Sequence, residues 1–379
     1  MTNLQENLLL VPGPTNLSVR VREAMAEPQM SHVGSEFYQS FTEIVQLARY
    51  VFKNENGIQF VFTGSGTVGM ESAVVSTVCR GDRVLIVDTG YFGRRLTLIN
   101  QAHGAKADEL LYPDGAHATP EDLRKKLGEN RYKAVFMTHV ETATSVRNDI
   151  GSLVEECKKA GVFSIVDSVC GLGGEPLDFD RLGADIVFTC SQKAIAAPPG
   201  ATLLATSREI QDYFEKRTEP IESYYMNLLR WKPVMDDPKI YLATPAVQVL
   251  RALRIALMEL KEEGLEARWA RHHQLGEMVR KRLSDLGLPL VADAGYRADT
   301  TTAFRVKNGT SAPMQKTLEQ QHHIVVARGI SEDRDRIIRL GHFGILSLDT
   351  LSRALDSIAE VAEGVGAVER ATVGVQSQH

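Results

Sequence analysis

The stretch Asp185–Gly200, DIVFTCSQKAIAAPPG, decides the expected fold. Its apolar run Ile186–Phe188 predicts a short buried strand. Ser191, Gln192 and Lys193 then follow on a turn at the carboxyl end of that strand. Open α/β sheets bind their ligands at this end of the strands. The stretch therefore predicts an α/β protein with a ligand site beside Lys193.

Lys193 stands in unusually apolar surroundings. It is the only basic residue between Arg181 and Arg208, and Ala194–Pro199 follow it. Burial among such residues favours the neutral amine, because desolvation disfavours the ammonium form. A neutral lysine can attack a carbonyl group and form a Schiff base. The alternative is a lysine whose stem lies along a loop while its head remains in water.

A second apolar run ends in an aspartate. Phe163–Val166 predicts another short strand, and Asp167 follows it directly, ahead of a glycine-rich turn. Such a carboxylate could cap the turn, or it could hold a proton on a pyridine nitrogen. The 26 residues from Asp167 to Lys193 fit one strand, a connection and the next strand of a parallel unit.

These motifs, taken together and in this order, resemble one enzyme family, the fold-type I pyridoxal-phosphate enzymes. Within it, the chain resembles the class V aminotransferases of the alanine:glyoxylate and serine:glyoxylate (serine:pyruvate) group. The resemblance implies pyridoxal 5'-phosphate bound to Lys193, with Asp167 at its ring nitrogen. The motifs that carry it are VPGPTN at 11–16, GSGT at 64–67, VDSVCGLGG at 166–174, SQKAIAAPPG at 191–200 and IRLGHFG at 338–344.

Strand and helix patterns alternate through the first two thirds of the chain, which predicts a mainly parallel sheet between helices. The resemblance adds a small C-terminal α/β domain. We expect an irregular N-terminal arm at 1–20, a large cofactor-binding domain at 21–262 and a small domain at 263–379. Within these, residues Glu219–Pro238 are expected to be irregular and Ile324–Ala327 to form one strand.

Composition excludes several other classes of protein. With 379 residues, 43% of them hydrophobic and 24% charged, the chain is typical of a soluble globular protein. The net charge of −5 gives no reason to expect nucleic acid. No long apolar run predicts a membrane span. The N-terminus lacks a secretory signal pattern, and the four cysteines form no CxxC pair, so we expect a cytoplasmic protein.

A glycine-rich turn at Gly64–Thr67 follows the predicted strand Phe60–Phe62 and leads into a helix. The amide groups at a helix N-terminus, together with the helix dipole, favour phosphate binding. Alone, this motif could be only a tight turn with a capping hydroxyl. With Lys193 and Asp167 present, we expect Ser65, Gly66 and Thr67 to bind the cofactor phosphate.

The resemblance assigns further cofactor contacts. Phe92 matches an aromatic residue that stacks on the ring, where tryptophan is more usual. Thr142, in HVETATS at 139–145, matches the residue that hydrogen-bonds the phenolic oxygen, although Ala143 and Ser145 replace the usual serine and glycine. Gln192 is expected beside the ring. His139 and Glu141 could suggest a metal pair, but two such residues are too few for zinc, and we expect no metal.

The resemblance also assigns substrate and subunit contacts. Arg339 matches the residue that binds the α-carboxylate, a role that suits the planar guanidinium fork. Gly34 matches backbone near the substrate. Tyr241 and Thr244 match a segment that reaches the cofactor phosphate of another subunit, so we expect a homodimer with shared active sites. A surface loop is the alternative for that segment.

The expected reaction moves an amino group from alanine or serine to glyoxylate or pyruvate by a ping-pong mechanism, with Lys193 as the proton carrier. Other class V branches, acting on aminophosphonates, ureidoglycine or phosphoserine, remain open, as do a pyridoxal-phosphate lyase and a non-enzymatic accessory protein. A desulfurase would need a cysteine in the small domain, whereas all four cysteines precede residue 191.

Overall fold

The computed structural model describes residues 7–368, and its strands form four sheets. The strands, numbered in chain order, are β1 Leu8–Leu9, β2 Ile58–Thr63, β3 Arg83–Asp88, β4 Lys106–Leu111, β5 Ala134–Thr138, β6 Val140–Glu141, β7 Val146–Arg147, β8 Phe163–Asp167, β9 Ile186–Cys190, β10 Ala201–Thr206, β11 Thr301–Arg305, β12 Ile324–Val325, β13 Ala327–Arg328 and β14 Ile337–Gly341.

Helices connect these strands and cover the sheets. They are α1 Val19–Ala26, α2 Ser35–Phe52, α3 Gly66–Thr77, α4 Tyr91–Ala102, α5 Pro120–Leu127, α6 Ile150–Ala160, α7 Phe179–Leu182, α8 Arg208–Lys216, α9 Leu228–Asp236, α10 Val247–Glu263, α11 Leu265–Asp285, α12 Ser311–His322 and α13 Leu348–Gly364, with one 3₁₀ turn at Ser331–Asp335. No helix in residues 7–368 is both long and apolar enough to cross a membrane.

The central sheet has seven strands in the order β2, β10, β9, β8, β5, β3, β4. Strand β10 is antiparallel to both of its neighbours, and the other adjacent pairs are parallel. Every residue of β5, β9 and β10 is buried, as expected for strands that helices cover on both faces. The parallel arrangement brings the carboxyl ends of β8 and β9 to the same edge of the sheet.

A smaller sheet follows in the order β11, β14, β13, and all of its pairs are antiparallel. Its apolar core is separate from that of the large sheet and includes Leu275 of α11, Phe304 of β11 and Leu355 of α13. The core of the large sheet extends to Leu265 at the start of α11. Because the two apolar cores are separate, we propose a domain boundary between residues 262 and 263.

The structure corrects three expectations about local structure. The arm is not wholly irregular, because β1 pairs in parallel with β12 and Leu10 lies in the core of the small domain. The expected single strand Ile324–Ala327 is two short strands, which pair with different partners. Residues Glu219–Pro238 contain helix α9, whose first N–H groups are capped by the Asn227 side chain.

Candidate active site

Lys193 lies on a tightly held loop directly after β9. Two backbone bonds fold this loop, from Ala196 N to the Lys193 carbonyl at 2.9 Å and from Ala197 N to the Ser191 carbonyl at 3.0 Å. The Ser191 hydroxyl closes the loop by donating to the Pro198 carbonyl at 2.5 Å. Neighbouring residues 194–198 are buried, whereas Lys193 itself is half-buried. The chain thus fixes the lysine backbone, while the side chain is only partly buried.

The N-terminal arm covers the amine of Lys193. Its Nζ donates a hydrogen bond to the Pro12 carbonyl. The next residue, Gly13, has φ +90°, and a Cβ there would collide with the end of the Lys193 side chain. Only glycine therefore allows the arm to pass this close to the lysine. The arm is held in turn by β14, because Gly341 N donates to the Leu10 carbonyl at 2.9 Å.

Asp167 ends β8 beside the Lys193 loop and is buried. Its Oδ1 accepts a hydrogen bond from Val169 N at 2.9 Å. Burial raises the pKa of Asp167 to about 6, and this rise is opposed by the Val169 N–H and by the positive charges of Lys193 and Arg95. The two residues singled out from the sequence therefore lie within electrostatic reach of each other.

The glycine-rich turn borders the same strand ends. Gly66 begins α3, and a Cβ there would lie 3.2 Å from Cys190 Sγ and 3.4 Å from Val169 Cγ2. Ser65 occupies the N-cap position, is exposed, and makes no side-chain capping bond. Thr67 lies in the first turn of α3. The N-terminus of α3 therefore faces the ends of β8 and β9 with free amide donors.

Glu141 joins the Phe92 helix to the Thr142 loop, a role that the sequence did not reveal. Its Oε2 accepts from Phe92 N at 3.0 Å and from Gly93 N at 3.3 Å, and its Oε1 accepts from Ala143 N at 3.0 Å. Glu141 is buried, and this burial raises its pKa to about 7 despite the three N–H donors. The Glu141 carboxylate thus caps α4 and fixes the positions of Phe92 and of the loop that contains Thr142.

Thr142 connects the large domain to Arg339 of the small domain. The Arg339 Nη1 approaches the Thr142 carbonyl at 3.4 Å, and its Nε donates to the Arg328 carbonyl at 2.8 Å. The Thr142 hydroxyl lies 2.9 Å from Cys170 Sγ. Two residues predicted from motifs far apart in the chain are therefore neighbours.

His139 is a buried structural residue beneath this loop. Its Nδ1 lies 2.9 Å from the Ser168 hydroxyl. Burial, helped by the charge of Arg147, lowers the pKa of His139 to about 3, so the ring is neutral. In the part of the chain from 7 to 368, no three histidine, cysteine or acidic side chains are grouped as metal ligands.

Three expected site residues lie elsewhere. Tyr241 is 63% exposed, and its hydroxyl lies 3.1 Å from that of Thr244. The Tyr241 ring is 5.8 Å from His32, close to Gly34, which precedes α2. Among the described residues, no hydrogen bond or ring contact joins Tyr241, Thr244 or Gly34 to Lys193 or Asp167.

Comparison with known proteins identifies the family. The model of the family described as aminotransferase class-V matches residues 17–331. The chain is a class-V aminotransferase. It is 33% identical over 357 residues to alanine–glyoxylate aminotransferase 1 of Saccharomyces cerevisiae, covering 89% of this chain and 92% of that protein. It is 34% identical over 342 residues to an uncharacterised aminotransferase of Methanocaldococcus jannaschii, covering 90% and 88%.

Solved structures agree with this class-V assignment. The crystal structure of an alanine–glyoxylate aminotransferase from Nostoc sp. matches with a TM-score of 0.91 and 30% identity, covering 95% of this chain and 96% of that one. A ureidoglycine–glyoxylate aminotransferase from Bacillus subtilis also gives 0.91, at 25% identity, over 97% and 95% of the two chains. The fold is thus that of the fold-type I enzymes, and the cofactor of this family is pyridoxal phosphate.

Two observations show that this aminotransferase has polar groups available for that cofactor. Gln192 Oε1 is buried without a hydrogen-bond partner among the described residues. A buried acceptor of this kind usually has a partner in the functional state. The N-terminus of α3, close to Cys190 at the end of β9, supplies free amide donors. These groups fit an anionic, heteroaromatic cofactor held between β8, β9 and α3.

Proposed function

We propose that this enzyme transfers the amino group of alanine or serine to glyoxylate or pyruvate by a ping-pong mechanism. The observation that carries the proposal is the meeting of Lys193 and Asp167 at one edge of the sheet, with Arg339 against the Thr142 loop. The yeast and Nostoc relatives, both named alanine–glyoxylate aminotransferases, support the choice of substrates.

In this proposal the side chains at the carboxyl ends of β8 and β9 and at the N-terminus of α3 each contact a different part of the cofactor. Lys193 binds its aldehyde carbon, and Asp167 faces its ring nitrogen. The amides and hydroxyls of the α3 N-terminus take the phosphate, because unpaired N–H groups and the helix dipole both favour an anion. Ser65, Gly66 and Thr67 would provide these phosphate ligands, and Phe92, Thr142 and Gln192 would make the remaining cofactor contacts.

Bound pyridoxal phosphate supplies an electron sink for the carbanion that forms when the α-proton leaves. With the cofactor bound, the Lys193 amine would be the base that accepts the α-proton of the substrate and the acid that returns it. The Asp167 carboxylate would hold a proton at the ring nitrogen. Arg339 orients the substrate by binding its α-carboxylate with two parallel N–H donors.

We further propose that Tyr241, Thr244 and Gly34 serve the active site of a second subunit. Tyr241 is largely exposed, and Ile240 beside it is 45% exposed, so this surface is available for a partner. A homodimer with shared sites would cover it. The expected cytoplasmic location is part of this proposal and depends on the isolated cysteines, which are all unpaired in the described chain.

A panel of half-reactions tests the proposal. The holoenzyme is mixed with single amino acids, and loss of the absorbance band of the lysine-bound cofactor is followed. We expect alanine or serine to give the fastest conversion, and glyoxylate or pyruvate to restore the band. If aminophosphonates, ureidoglycine or phosphoserine react faster than alanine and serine, the corresponding branch replaces this assignment. Release of an unsaturated or sulfur product would indicate a lyase.

A further inference from the structure

A cavity of about 400 Å³ lies between α4 of the large domain and the 3₁₀ turn of the small domain, and residues adjacent in sequence to Phe92 and Thr142 line it. Its walls include Tyr91, Arg95 and Thr144 on one side and Ile330 and Asp333 on the other. Thr144 belongs to the same loop as Thr142, which contacts Arg339. The cavity therefore borders the loop that the proposed α-carboxylate ligand Arg339 contacts.

Two arginines, Arg94 and Arg95, line this cavity, and Arg95 is the more buried of the two. It is half-buried, and its guanidinium lies 4.6 Å from the centre of the Phe92 ring and 5.2 Å from that of Tyr91. Its charge also acts on Asp167, where it lowers the pKa of the carboxyl group. Arg95 therefore stacks on the ring expected at the cofactor and lies within electrostatic reach of Asp167.

The guanidinium of Arg95 lacks a partner of opposite charge. Within residues 7–368 it makes no hydrogen bond or ion pair, so its N–H donors are free. Stacking on aromatic rings favours the cation but leaves those donors unused. An arginine held flat by two rings has already lost much of its rotational freedom, so binding an anion costs it little more.

We propose that Arg95 binds a second carboxylate, so that the enzyme also accepts dicarboxylic amino acids or 2-oxo diacids as one of its substrate pairs. The inference rests on the proposed aminotransfer and extends its substrate class. Arg339 then holds the α-carboxylate and Arg95 the distal one. The planar fork of Arg95 suits two-point binding of that group.

The chemistry needs no further reactant. A dicarboxylic donor exchanges its amino group and α-hydrogen for the aldehyde oxygen of the cofactor. An oxo diacid and the amine form of the cofactor result. Carboxylates also border the cavity, at Asp114, Glu332 and Asp333. Asp114 and Glu332 are exposed, and none of the three forms an ion pair with Arg95, which leaves that guanidinium free for a substrate.

The test compares half-reaction rates of the holoenzyme with glutamate, aspartate, lysine and alanine. Arg95→Gln is compared with Arg131→Gln, which removes the same charge from an exposed side chain outside this cavity. We expect wild type to convert glutamate or aspartate, and Arg95→Gln to lower the ratio of the diacid rate to the alanine rate by about 10- to 100-fold. Arg131→Gln should change this ratio by less than about fivefold.

A binding measurement provides a readout apart from turnover. Calorimetry with succinate and propionate should show tighter binding of succinate to wild type, and this preference should be lost in Arg95→Gln. Equal effects of the two arginine variants, or a preference for lysine over the diacids, would overturn the inference. If no amino acid converts the cofactor at all, the proposed aminotransferase function is wrong. If alanine converts the cofactor but glutamate and aspartate do not, only the role proposed for Arg95 is wrong.

Discussion

The edge of the central sheet and the segment 238–245 are both expected to contact the cofactor, yet the chain holds them very differently. At the sheet edge, Lys193 is covered by the arm through Pro12, and the buried Asp167 is fixed by Val169 N. In the segment 238–245, Tyr241 is 63% exposed and its hydroxyl meets only that of Thr244. The structure therefore holds Lys193 and Asp167 in fixed positions, whereas within residues 7–368 the hydroxyl groups of Tyr241 and Thr244 bond only to each other.

Removing the lysine should give the largest effect. Lys193→Ala is expected to slow the half-reaction with alanine by about 10³-fold or more, because both the covalent attachment and the proton carrier are lost. Rapid-mixing absorbance measures the rate, and borohydride trapping with mass spectrometry locates the cofactor. The matched control in the segment 238–245 is Lys239→Ala, an exposed lysine that should leave the rate unchanged. Trapping of cofactor on another residue would contradict this assignment.

The next largest effect is expected from Asp167→Asn, which keeps an acceptor for Val169 N but removes the charge. We expect the half-reaction to slow by about 10²-fold, with a smaller change in cofactor affinity. Rapid-mixing kinetics and a cofactor titration separate the two quantities.

The control for Asp167 is Asp185→Asn. Asp185 is a half-buried carboxylate just before β9, at the opposite end of that strand from Lys193, where it accepts from Ser164 and Ser207. This variant should lose about 1–2 kcal/mol of stability and retain the rate. Equal rate losses in both variants would show that Asp167 acts only through folding.

Glu141 tests how rigidly the sheet edge is built. Its pKa is raised from 4.5 to about 7 by burial, so its contribution to the free energy of unfolding is full below pH 4.5 and is lost as the pH rises through 7. Glu141→Gln removes this dependence. The stability difference between variant and wild type should therefore change by about 2 kcal/mol between pH 4.5 and 7.

Urea unfolding of the apoprotein across this pH range measures the difference. Taking the difference between the two proteins cancels the opposite pH dependence of His139, whose lowered pKa weakens the fold as the pH falls below 6.5. A difference that stays constant over the range would mean that Glu141 is ionised in the folded protein.

The smallest effect is expected in the segment 238–245. The double variant Tyr241→Phe and Thr244→Ala should raise the dissociation constant of pyridoxal phosphate by about tenfold, because two hydroxyl donors to the phosphate are lost. If the site is shared, cofactor affinity should also fall on dilution of the protein. Titration at two protein concentrations checks both points. Tyr224→Phe, at a similarly exposed tyrosine, serves as the control, and an unchanged constant in the double variant would remove the segment from the site.

Much of the large sheet could be predicted because its inner strands are local apolar runs. The runs that end at Asp167 and before Lys193 are strands β8 and β9. Strand β4 gave no such signal. Its sequence, KADELL at Lys106–Leu111, is not an apolar run, because β4 is the outermost strand of the sheet and its residues are only partly buried. Helix α9 was missed because Pro233 lies inside it and prolines surround it.

The contacts within the site were less predictable than the strands. The cap that Glu141 places on α4 joins residues 49 positions apart, and nothing in the local sequence distinguishes it from a possible metal ligand. The stacking of Arg95 on Phe92 lies within one helix turn and could have been noticed, because residues three apart share a helix face.

The sequence by itself determined which strand ends carry the lysine and the aspartate, and it indicated the cofactor, because apolar runs and turn residues act over a few neighbouring positions. Only the tertiary structure decided which distant groups meet. Pro12 reaches Lys193 across 181 residues, and Arg339 reaches Thr142 across 197. Such contacts depend on how the arm and the small domain pack onto the large sheet, which no local pattern specifies.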